Sequence, residues 1–276
     1  MLKQRVITAV LLLAGLLTLL FNTDPLWFSL AVVPVVLLAG WEWGGLTAIK
    51  GNGGKAAYLV ALGLALSGAA LWLNLFQDLD MQRGQQLVLL ASILWAVIFL
   101  WVQGYPSSAI LWSAKPVLML LGLLLLSATW VAIALIVHQP SGQWLFLMAV
   151  AIVALADIGG YVAGNLLGKH KMAPVISPGK TWEGFVGGLL SQSLLFVLLL
   201  ALVPVTVSLG KLLLLIVSVS LYSVLGDLFE SMLKRHQGVK DSSQILPGHG
   251  GILDRIDGLM AALPLFILLI FLLGPI

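Results

Sequence analysis

The sequence predicts an all-α, polytopic integral membrane protein with about nine transmembrane helices. The chain is 61% hydrophobic and only 9% charged, and its mean hydropathy is +1.10. Apolar runs of about twenty residues recur along it, which is the length that crosses the hydrocarbon core of a bilayer as a helix. Runs such as 116–137 and 189–205 are continuously apolar, whereas the strands of a membrane β-barrel alternate between apolar and polar residues. The runs therefore favour helices.

Short polar segments separate the predicted spans. The first run begins with two basic residues, and we interpret it as a span because no small-x-small cleavage site of a signal peptide follows it. We divide the chain into N-terminal helices over residues 1–143 and a catalytic region over residues 144–276 with cytoplasmic loops at 166–183 and 234–250. The predicted spans are residues 1–22, 26–43, 56–76, 86–105, 116–137, 144–165, 184–208, 211–233 and 251–274.

The lysine and arginine residues predict the orientation of these spans. If the N-terminus lies in the cytoplasm, twelve basic residues fall inside and only Arg83 and Lys211 fall outside, as the positive-inside rule requires. The C-terminus then lies outside. A compact chain without a targeting extension favours a bacterial inner membrane over an organellar one. The inside set is Lys3, Arg5, Lys50, Lys55, Lys115, Lys169, Lys171, Lys180, Lys234, Arg235, Lys240 and Arg255.

The composition excludes several classes of site. The chain has no cysteine, so it can form no disulfide, thiolate zinc site or thiol nucleophile. Its net charge of +3 is too small to imply a nucleic-acid partner. The ten tryptophans are spread over many spans, which favours interfacial belts over a ligand cage. Glu42 lies among them at a predicted membrane boundary, and we interpret it as an interfacial carboxylate that reaches water, with a functional role left open.

Charged residues concentrate in the second half of the chain. Seven of the eleven carboxylates lie beyond residue 150. Residues 231–257 hold four of the fourteen Lys and Arg, three of the eleven Asp and Glu, and two of the four His, between two apolar runs. Ionisable groups at such positions are costly and usually functional. We therefore predict an active site on the cytoplasmic face, built from several segments of this half.

The sixth span and the loop after it predict a phosphate site. Asp157 belongs to a helical stripe of small and polar residues, where a carboxylate needs a partner or a cation. In the loop, Ser177 or Thr181 is placed to begin a helix, and Lys180 would add positive charge beside its free N–H groups. The alternative is a basic loop that only sets the topology. The stripe consists of Asp157, Gly160, Tyr161, Gly164, Asn165 and Gly168.

The eighth span carries polar residues on one face. A carboxylate as deep as Asp227 costs about 2.5–3.5 kcal/mol by insertion scales unless it is compensated, and a divalent cation would compensate it. Helical spacing of i, i+3, i+4, i+7 and i+8 places the whole set on that face. The set is Asp227, Glu230, Ser231, Lys234 and Arg235.

The segment that begins the ninth span could complete a metal site. Asp254 and Asp257 share a helix face at i, i+3, and either of them together with Asp227 could hold Mg²⁺, because carboxylate oxygens suit a hard cation. His249 would either contact a phosphate or cap the turn. Glycines allow close approach of the backbone to an anion, and cations neutralise it. The groups available for this are Gly250, Gly251, Lys234, Arg235, Lys240 and Arg255.

These residues resemble the signature of the phosphatidate cytidylyltransferase family, also called CDP-diacylglycerol synthases. The signature is Ser-x-apolar-Lys-Arg-x4-Lys-Asp-x-small-x2-apolar-Pro-x-His-Gly-Gly-apolar-x-Asp-Arg-apolar-Asp, and this chain does not depart from it. The segment 177–184 also resembles the family, so the similarity covers residues 157–260. The signature positions are Ser231, Leu233, Lys234, Arg235, Lys240, Asp241, Ser243, Leu246, Pro247, His249, Gly250, Gly251, Ile252, Asp254, Arg255, Ile256 and Asp257.

The resemblance implies transfer of CMP from CTP to the phosphate of phosphatidic acid, with Mg²⁺ as cofactor and a second cation left open. The implied partners are CTP, phosphatidic acid and membrane lipids, and the small-residue seams permit a homodimer without requiring one. Two alternatives remain. A CTP-dependent polyprenol kinase would transfer the γ-phosphate, and an ion-coupled transporter would use Asp157 and Asp227 as cation ligands.

The site residues divide into four hypothetical roles. The predicted catalytic residues are Lys240, Asp241, Arg255 and His249. The predicted substrate-binding residues are Ser177, Lys180, Thr181, Ser231, Lys234, Arg235, Gly250 and Gly251. The predicted metal ligands are Asp227, Asp254 and Asp257, and the predicted supporting residues are Asp157, Glu183 and Glu230.

Overall fold

The structure, a computed structural model, describes residues 2–47, 49, 51–202, 208–245 and 250–274. Its described part consists of helices and one short β-hairpin. In chain order the elements are α1 (Leu2–Asn22), α2 (Pro25–Leu46), α3 (Gly51–Trp72), α4 (Met81–Gln103), α5 (Ala109–Trp112), α6 (Lys115–Val137), α7 (Gly142–Leu167), β1 (Lys171–Ala173), β2 (Ser177–Thr181), α8 (Trp182–Leu202), α9 (Leu209–His236) and α10 (Leu253–Leu273).

The helices confirm the prediction of a polytopic, all-α membrane protein. Among the described residues, eight helices are long and apolar enough to cross a bilayer, namely α2, α3, α4, α6, α7, α8, α9 and α10. They coincide with the second to ninth predicted spans. Helix α1 covers the first predicted span, and its apolar part, Val10–Asn22, is shorter. The division of the chain near residue 143 and the sides on which the termini lie stay predictions.

The hairpin is the main departure from an all-helical chain. Strands β1 and β2 pair antiparallel, with Lys171 opposite Thr181 and Ala173 opposite Ser177. Pro174 and Pro178 disfavour a helix here, because proline lacks a backbone N–H and restricts the residue before it. The prediction that Ser177 starts a helix is therefore wrong. The hairpin lies between α7 and α8 in sequence and contacts α7, α8 and α9.

Helices α6 and α10 form the centre of the bundle. Helix α6 packs against α2, α3, α4, α7 and α10. Tryptophans connect these helices, since the indole nitrogen of Trp43 donates to the carbonyl of Leu118 at 2.8 Å and that of Trp95 donates to the carbonyl of Met260 at 3.1 Å. Trp130 is also buried. The prediction of interfacial belts is wrong for these tryptophans, which satisfy their N–H groups inside the bundle.

Helices α7 and α8 approach closely through glycines. A Cβ at Gly184 would lie 2.8 Å from the carbonyl oxygen of Gly160 and 3.2 Å from the Cα of Gly164. Small residues permit this approach, as is usual between membrane helices. The predicted small-residue stripe of the sixth span is thus confirmed as a helix contact. Because α8 of the same chain occupies it, the stripe gives no argument for a homodimer.

Candidate active site

A polar cavity of about 390 Å³ lies between α7, α8, α9 and the hairpin. Residues from the sixth span, the loop after it and the eighth span line it. Its polar lining includes Asp157, Asn165, Ser177, Lys180, Thr181, Ser220 and Asp227. We call this space the polar cavity. Three of the predicted segments therefore meet here, whereas no described residue of 231–257 lines the cavity.

An ion pair connects the hairpin to α9. The ammonium nitrogen of Lys180 lies 2.6 Å from Oδ2 of Asp227, and both side chains are partly buried. The hydroxyl of Ser231, one turn later, donates to Oδ1 of Asp227 at 3.2 Å. The carboxylate that the sequence places deep in the eighth span is thus compensated by a cation from the loop. Lys180 also places a positive charge in the wall of the polar cavity.

Thr181 and Glu183 fix the start of α8. The hydroxyl oxygen of Thr181 accepts a hydrogen bond from the backbone N–H of Gly184 at 3.1 Å, which is the N-cap arrangement. The prediction that Thr181 begins a helix is confirmed. Glu183 accepts from the backbone N–H groups of Lys169 and His170 and contacts Nδ1 of His170 at 2.5 Å. Glu183 therefore orders the turn between α7 and β1 rather than entering the cavity lining.

Lys234 links α9 to α10 through two carboxylates. Its ammonium nitrogen lies 2.5 Å from Oε2 of Glu230 and 2.6 Å from Oδ1 of Asp254. All three side chains are largely buried. Arg235 also has a protein partner, because its Nε donates to the carbonyl of Ile176 at 3.1 Å. Both cations thus act within the protein, where they hold α10 and the hairpin against α9.

Asp254 organises the loop that precedes α10. Its Oδ2 accepts from the backbone N–H of Gly251 at 2.8 Å and from the N–H and hydroxyl of Ser242 at 3.1 and 3.0 Å. Its other oxygen is held by Lys234. With both oxygens engaged, this carboxylate positions the loop. Of the three predicted metal ligands, Asp254 therefore has the least free coordination capacity.

Glu42 reaches the same loop from α2. Its carboxylate, only 1% exposed, accepts from the backbone N–H groups of Ile252 and Leu253 at 2.9 and 2.6 Å. The hydroxyl of Ser243 also donates to it at 2.5 Å, and the hydroxyl of Ser242, which has one proton, lies between Oε2 of Glu42 at 3.1 Å and Oδ2 of Asp254 at 3.0 Å. The interpretation of Glu42 as an interfacial side chain that reaches water is wrong. It caps the N-terminus of α10, where a negative charge is favourable.

This role of Glu42 could not be predicted from the sequence, because its hydrogen-bond partners lie about two hundred residues further along the chain. Ile252, for example, is 210 residues away. The feature of the sequence that points to such a role is a carboxylate that lies between tryptophans at the end of a predicted span. Gly251 belongs to the same arrangement, since a Cβ there would lie 2.6 Å from Oε2 of Glu42. The absence of a side chain at Gly251 thus admits the Glu42 carboxylate. Gly250 has a φ of +85°, which favours glycine.

More carboxylates gather where α7, α9 and α10 meet. Asp157 lies within electrostatic reach of Asp227, Lys180 and Arg255, and Asp257 lies within reach of Asp227 and Asp157. The structure thus brings together Asp157, Asp227, Asp257 and Arg255, as the sequence predicts. Carboxylates within electrostatic reach of one another repel, so a bound cation would stabilise the group.

The residues fit a hard cation. Oε1 of Glu230 is buried and lacks a hydrogen-bond partner among the described residues, which is the kind of oxygen that an ion or a water satisfies. The nearby donors are carboxylate oxygens, which Mg²⁺ prefers. Over the described ranges, no group of three or more Asp, Glu or His side chains converges on one metal position. Waters and substrate oxygens would have to complete the coordination.

The remaining predicted residues lie on the loop after α9. Lys240 and Asp241 are exposed and form no ion pair with the part of the chain that the structure describes. His249 lies outside the described residues, so its two predicted roles stay open. The catalytic roles of Lys240 and Asp241 also stay predictions.

Fold and site together define a polytopic membrane protein with a cavity that is lined by charged residues and lies within an apolar bundle. The model of the cytidylyltransferase family matches residues 3–273. The chain is 40% identical to a phosphatidate cytidylyltransferase of Haemophilus influenzae over 96% of this chain and 97% of that protein. It is 41% identical to one of Pseudomonas aeruginosa, over 99% and 98% of the two chains. The chain belongs to the cytidylyltransferase family.

Proposed function

We propose that this protein is a phosphatidate cytidylyltransferase, which transfers CMP from CTP to phosphatidic acid. The observation that carries the proposal is the polar cavity, where the Lys180–Asp227 pair joins two signature-bearing segments inside an apolar bundle. A lipid phosphate and a nucleotide triphosphate are both polyanions, so they need cations to meet. The names of the full-length relatives agree with this reaction.

The reaction exchanges one phosphorus–oxygen bond for another. A non-bridging oxygen of the phosphatidate phosphate attacks the α-phosphorus of CTP, and the bond to the β-phosphate breaks. The products are CDP-diacylglycerol and pyrophosphate. Phosphatidate is already an anionic nucleophile near neutral pH, so the protein needs no strong general base. Its task is to position two anions in line and to stabilise the charge that develops on the leaving oxygen.

The chain's own cations divide this task. Lys180 is placed to attract a phosphate into the polar cavity, and Arg255, within electrostatic reach of Asp157, adds positive charge nearby. Lys240 lies on an exposed loop, where it could meet a triphosphate that arrives from water. Lys234 and Arg235 hold the surrounding elements in place, so we expect them to position the site.

We propose Mg²⁺ as the cofactor, with Asp227 and Asp257 as its protein ligands and Asp157 beside them. When bound, the cation would neutralise charge on the triphosphate and the leaving group. Asp254, which the sequence also predicts as a ligand, would instead position the loop through its contacts with Lys234 and Ser242. A second cation remains open, and the unpartnered oxygen of Glu230 is a candidate to contact it.

We further propose that the site faces the cytoplasm of a bacterial inner membrane. Twelve of the fourteen basic residues fall on the side of the polar cavity if the N-terminus is cytoplasmic, and positive residues mark that side. CTP is a cytosolic nucleotide, and the phosphate of phosphatidic acid lies at the membrane surface. Single-cysteine variants in this cysteine-free chain, labelled from one side of sealed vesicles, would test the orientation at the loops near Lys240 and Asp78.

Turnover by purified protein tests the proposed reaction. The protein in detergent would receive phosphatidic acid, Mg²⁺ and CTP labelled on either the α- or the γ-phosphate. We expect α-label in the lipid product and γ-label in pyrophosphate. Transfer of γ-label to a polyprenol would instead identify a kinase. Lack of turnover with either lipid, together with cation-driven uptake into vesicles, would favour a transporter.

A matched pair of carboxylate variants tests the metal assignment. Asp227→Asn should reduce turnover by several orders of magnitude, because it removes both a proposed metal ligand and the partner of Lys180. Asp78→Asn changes an exposed carboxylate in the loop between α3 and α4 and should leave turnover unchanged. Near wild-type activity of Asp227→Asn would contradict the assignment. Whether the protein forms a homodimer, which the sequence permits without requiring, is tested on the same preparation by its molar mass in detergent.

A further inference from the structure

A second, larger cavity lies beside the polar cavity. It has a volume of about 910 Å³ and is enclosed by α4, α9, the hairpin and the first turns of α8. Its lining is mostly apolar and includes Ala96, Phe99, Val175, Leu221, Leu225 and Leu228. We call it the apolar cavity. None of the predicted site residues that the structure describes lines it.

The two cavities share walls. Met172 of the hairpin, Phe185 of α8 and Val224 of α9 line both of them. A ligand with a charged end and an apolar end could therefore occupy both at once. The charged end would lie near Lys180, and the apolar end would lie between α4 and α9.

The apolar cavity is accessible from the bilayer. Phe99 of α4 is 46% exposed, Leu221 of α9 is 41% exposed and Val175 of the hairpin is 59% exposed. The first two belong to helices that are long and apolar enough to span a membrane, so their exposed surfaces face lipid. An acyl chain can thus enter sideways without leaving an apolar environment.

We propose that the apolar cavity binds an acyl chain of phosphatidic acid while the phosphate of the same molecule lies in the polar cavity. This inference depends on the proposed function and adds the site for the lipid's tail. The cavity volume lies in the range of pockets that bind small organic ligands, about 300–1,000 Å³. An acyl chain is the occupant that matches an apolar space that is open to lipid and lies beside a site for the phosphate that the same molecule carries.

Such a site would act mainly by positioning the lipid substrate, and less by raising the affinity of the protein for it. Lipid tails and apolar side chains are similar environments, so a chain that moves from the bilayer into the cavity gains little free energy. A tail held between α4 and α9 would, however, fix the depth and direction of the phosphate. Orientation of a reacting group can contribute strongly to rate. Filling the cavity should therefore harm long-chain substrates and spare short ones.

The test uses Ala96→Trp, which places a large side chain in the cavity from α4. The matched control is Leu100→Trp on the same helix, where the side chain is 63% exposed and does not line the cavity. Each protein in detergent would be assayed with dioleoyl and with dihexanoyl phosphatidic acid. We expect Ala96→Trp to lower kcat/KM for the dioleoyl lipid roughly ten-fold, within the range that steric overfilling costs. The kcat/KM for the dihexanoyl lipid and the KM for CTP should stay unchanged.

The outcomes separate this inference from the proposed function. Wild-type protein that converts neither lipid would overturn the proposed function. Active wild-type protein with an unchanged Ala96→Trp profile would overturn the acyl-chain site alone. An equal loss for both lipids, or a raised KM for CTP, would also overturn it, because the damage would then lie in the polar cavity. If Ala96→Trp does not purify as a folded protein, Leu221→Trp from the opposite wall replaces it under the same criteria.

Discussion

The buried carboxylate of Glu42 offers the sharpest test of how the site is assembled. Glu42→Gln keeps the shape of the side chain and replaces one acceptor oxygen by an NH₂ group. In the structure each carboxylate oxygen faces one backbone N–H and one serine hydroxyl. A hydroxyl can rotate to accept from the new NH₂ group, but a backbone N–H of Ile252 or Leu253 cannot. One of these two N–H groups must therefore lose its partner.

The expected cost follows from these contacts. A hydrogen bond to a charged group contributes about 1.5–3 kcal/mol, and a negative charge at a helix N-terminus contributes about 0.3–1 kcal/mol more. Together the substitution should cost about 2–4 kcal/mol. Each 1.4 kcal/mol is a factor of ten, so the released form of the loop before α10 should become about 30- to 1,000-fold more populated.

Hydrogen exchange followed by mass spectrometry measures this change. Peptides that contain Ile252 and Leu253 should exchange faster in Glu42→Gln, and turnover should fall with them. Ser243→Ala is the graded control, because it removes one of the four donors and leaves the charge, at a cost of about 1 kcal/mol. Unchanged exchange in these peptides would show that Glu42 does not hold the loop. A larger effect of Ser243→Ala than of Glu42→Gln would refute the reasoning as well.

Two further predictions concern stability, measured as the apparent Tm in detergent. Lys234→Met leaves two buried carboxylates without their cation, so it should destabilise the fold by about 3–5 kcal/mol, whereas Lys240→Met on the exposed loop should not. Equal losses in the two variants would contradict the buried pairing. Gly184→Ala places a Cβ 2.8 Å from the carbonyl of Gly160 and should cost about 1–3 kcal/mol. Gly179→Ala, where a Cβ meets no atom within 4 Å, should be neutral, and similar losses in both would argue against the glycine contact between α7 and α8.

The spans and the converging segments could be predicted because their signals are local. Hydropathy over about twenty residues defines a membrane helix, and helical spacing places Asp227 and Ser231 on one face. The contact of Lys180 with Asp227 was within reach as well, since both segments were predicted to lie on one side of the membrane. Charge compensation of a deep carboxylate then required a nearby cation.

Other features depend on the packing of distant segments. The four-donor site of Glu42 joins α2 to the loop before α10, and nothing near Glu42 in sequence indicates those donors. The sequence predicts tryptophans at the membrane–water interfaces, because they are enriched there. In the structure, however, Trp43 and Trp95 lie in the core. The contacts of Asp254 with Lys234 and Ser242 likewise could not be predicted without the fold. A carboxylate in a sequence signature is equally suited to bind a metal or to hold a loop.

The contact between Glu42 and Leu253, 211 residues apart, has a consequence for biosynthesis. Helix α2 is made before the donors that surround its carboxylate, which follow about two hundred residues later in the chain. Until those donors are made, Glu42 lacks the groups that surround it in the structure. Synthesis of α10 and of the loop before it therefore completes the contacts of α2, and chains truncated before residue 242 should expose this carboxylate as a site for membrane quality control.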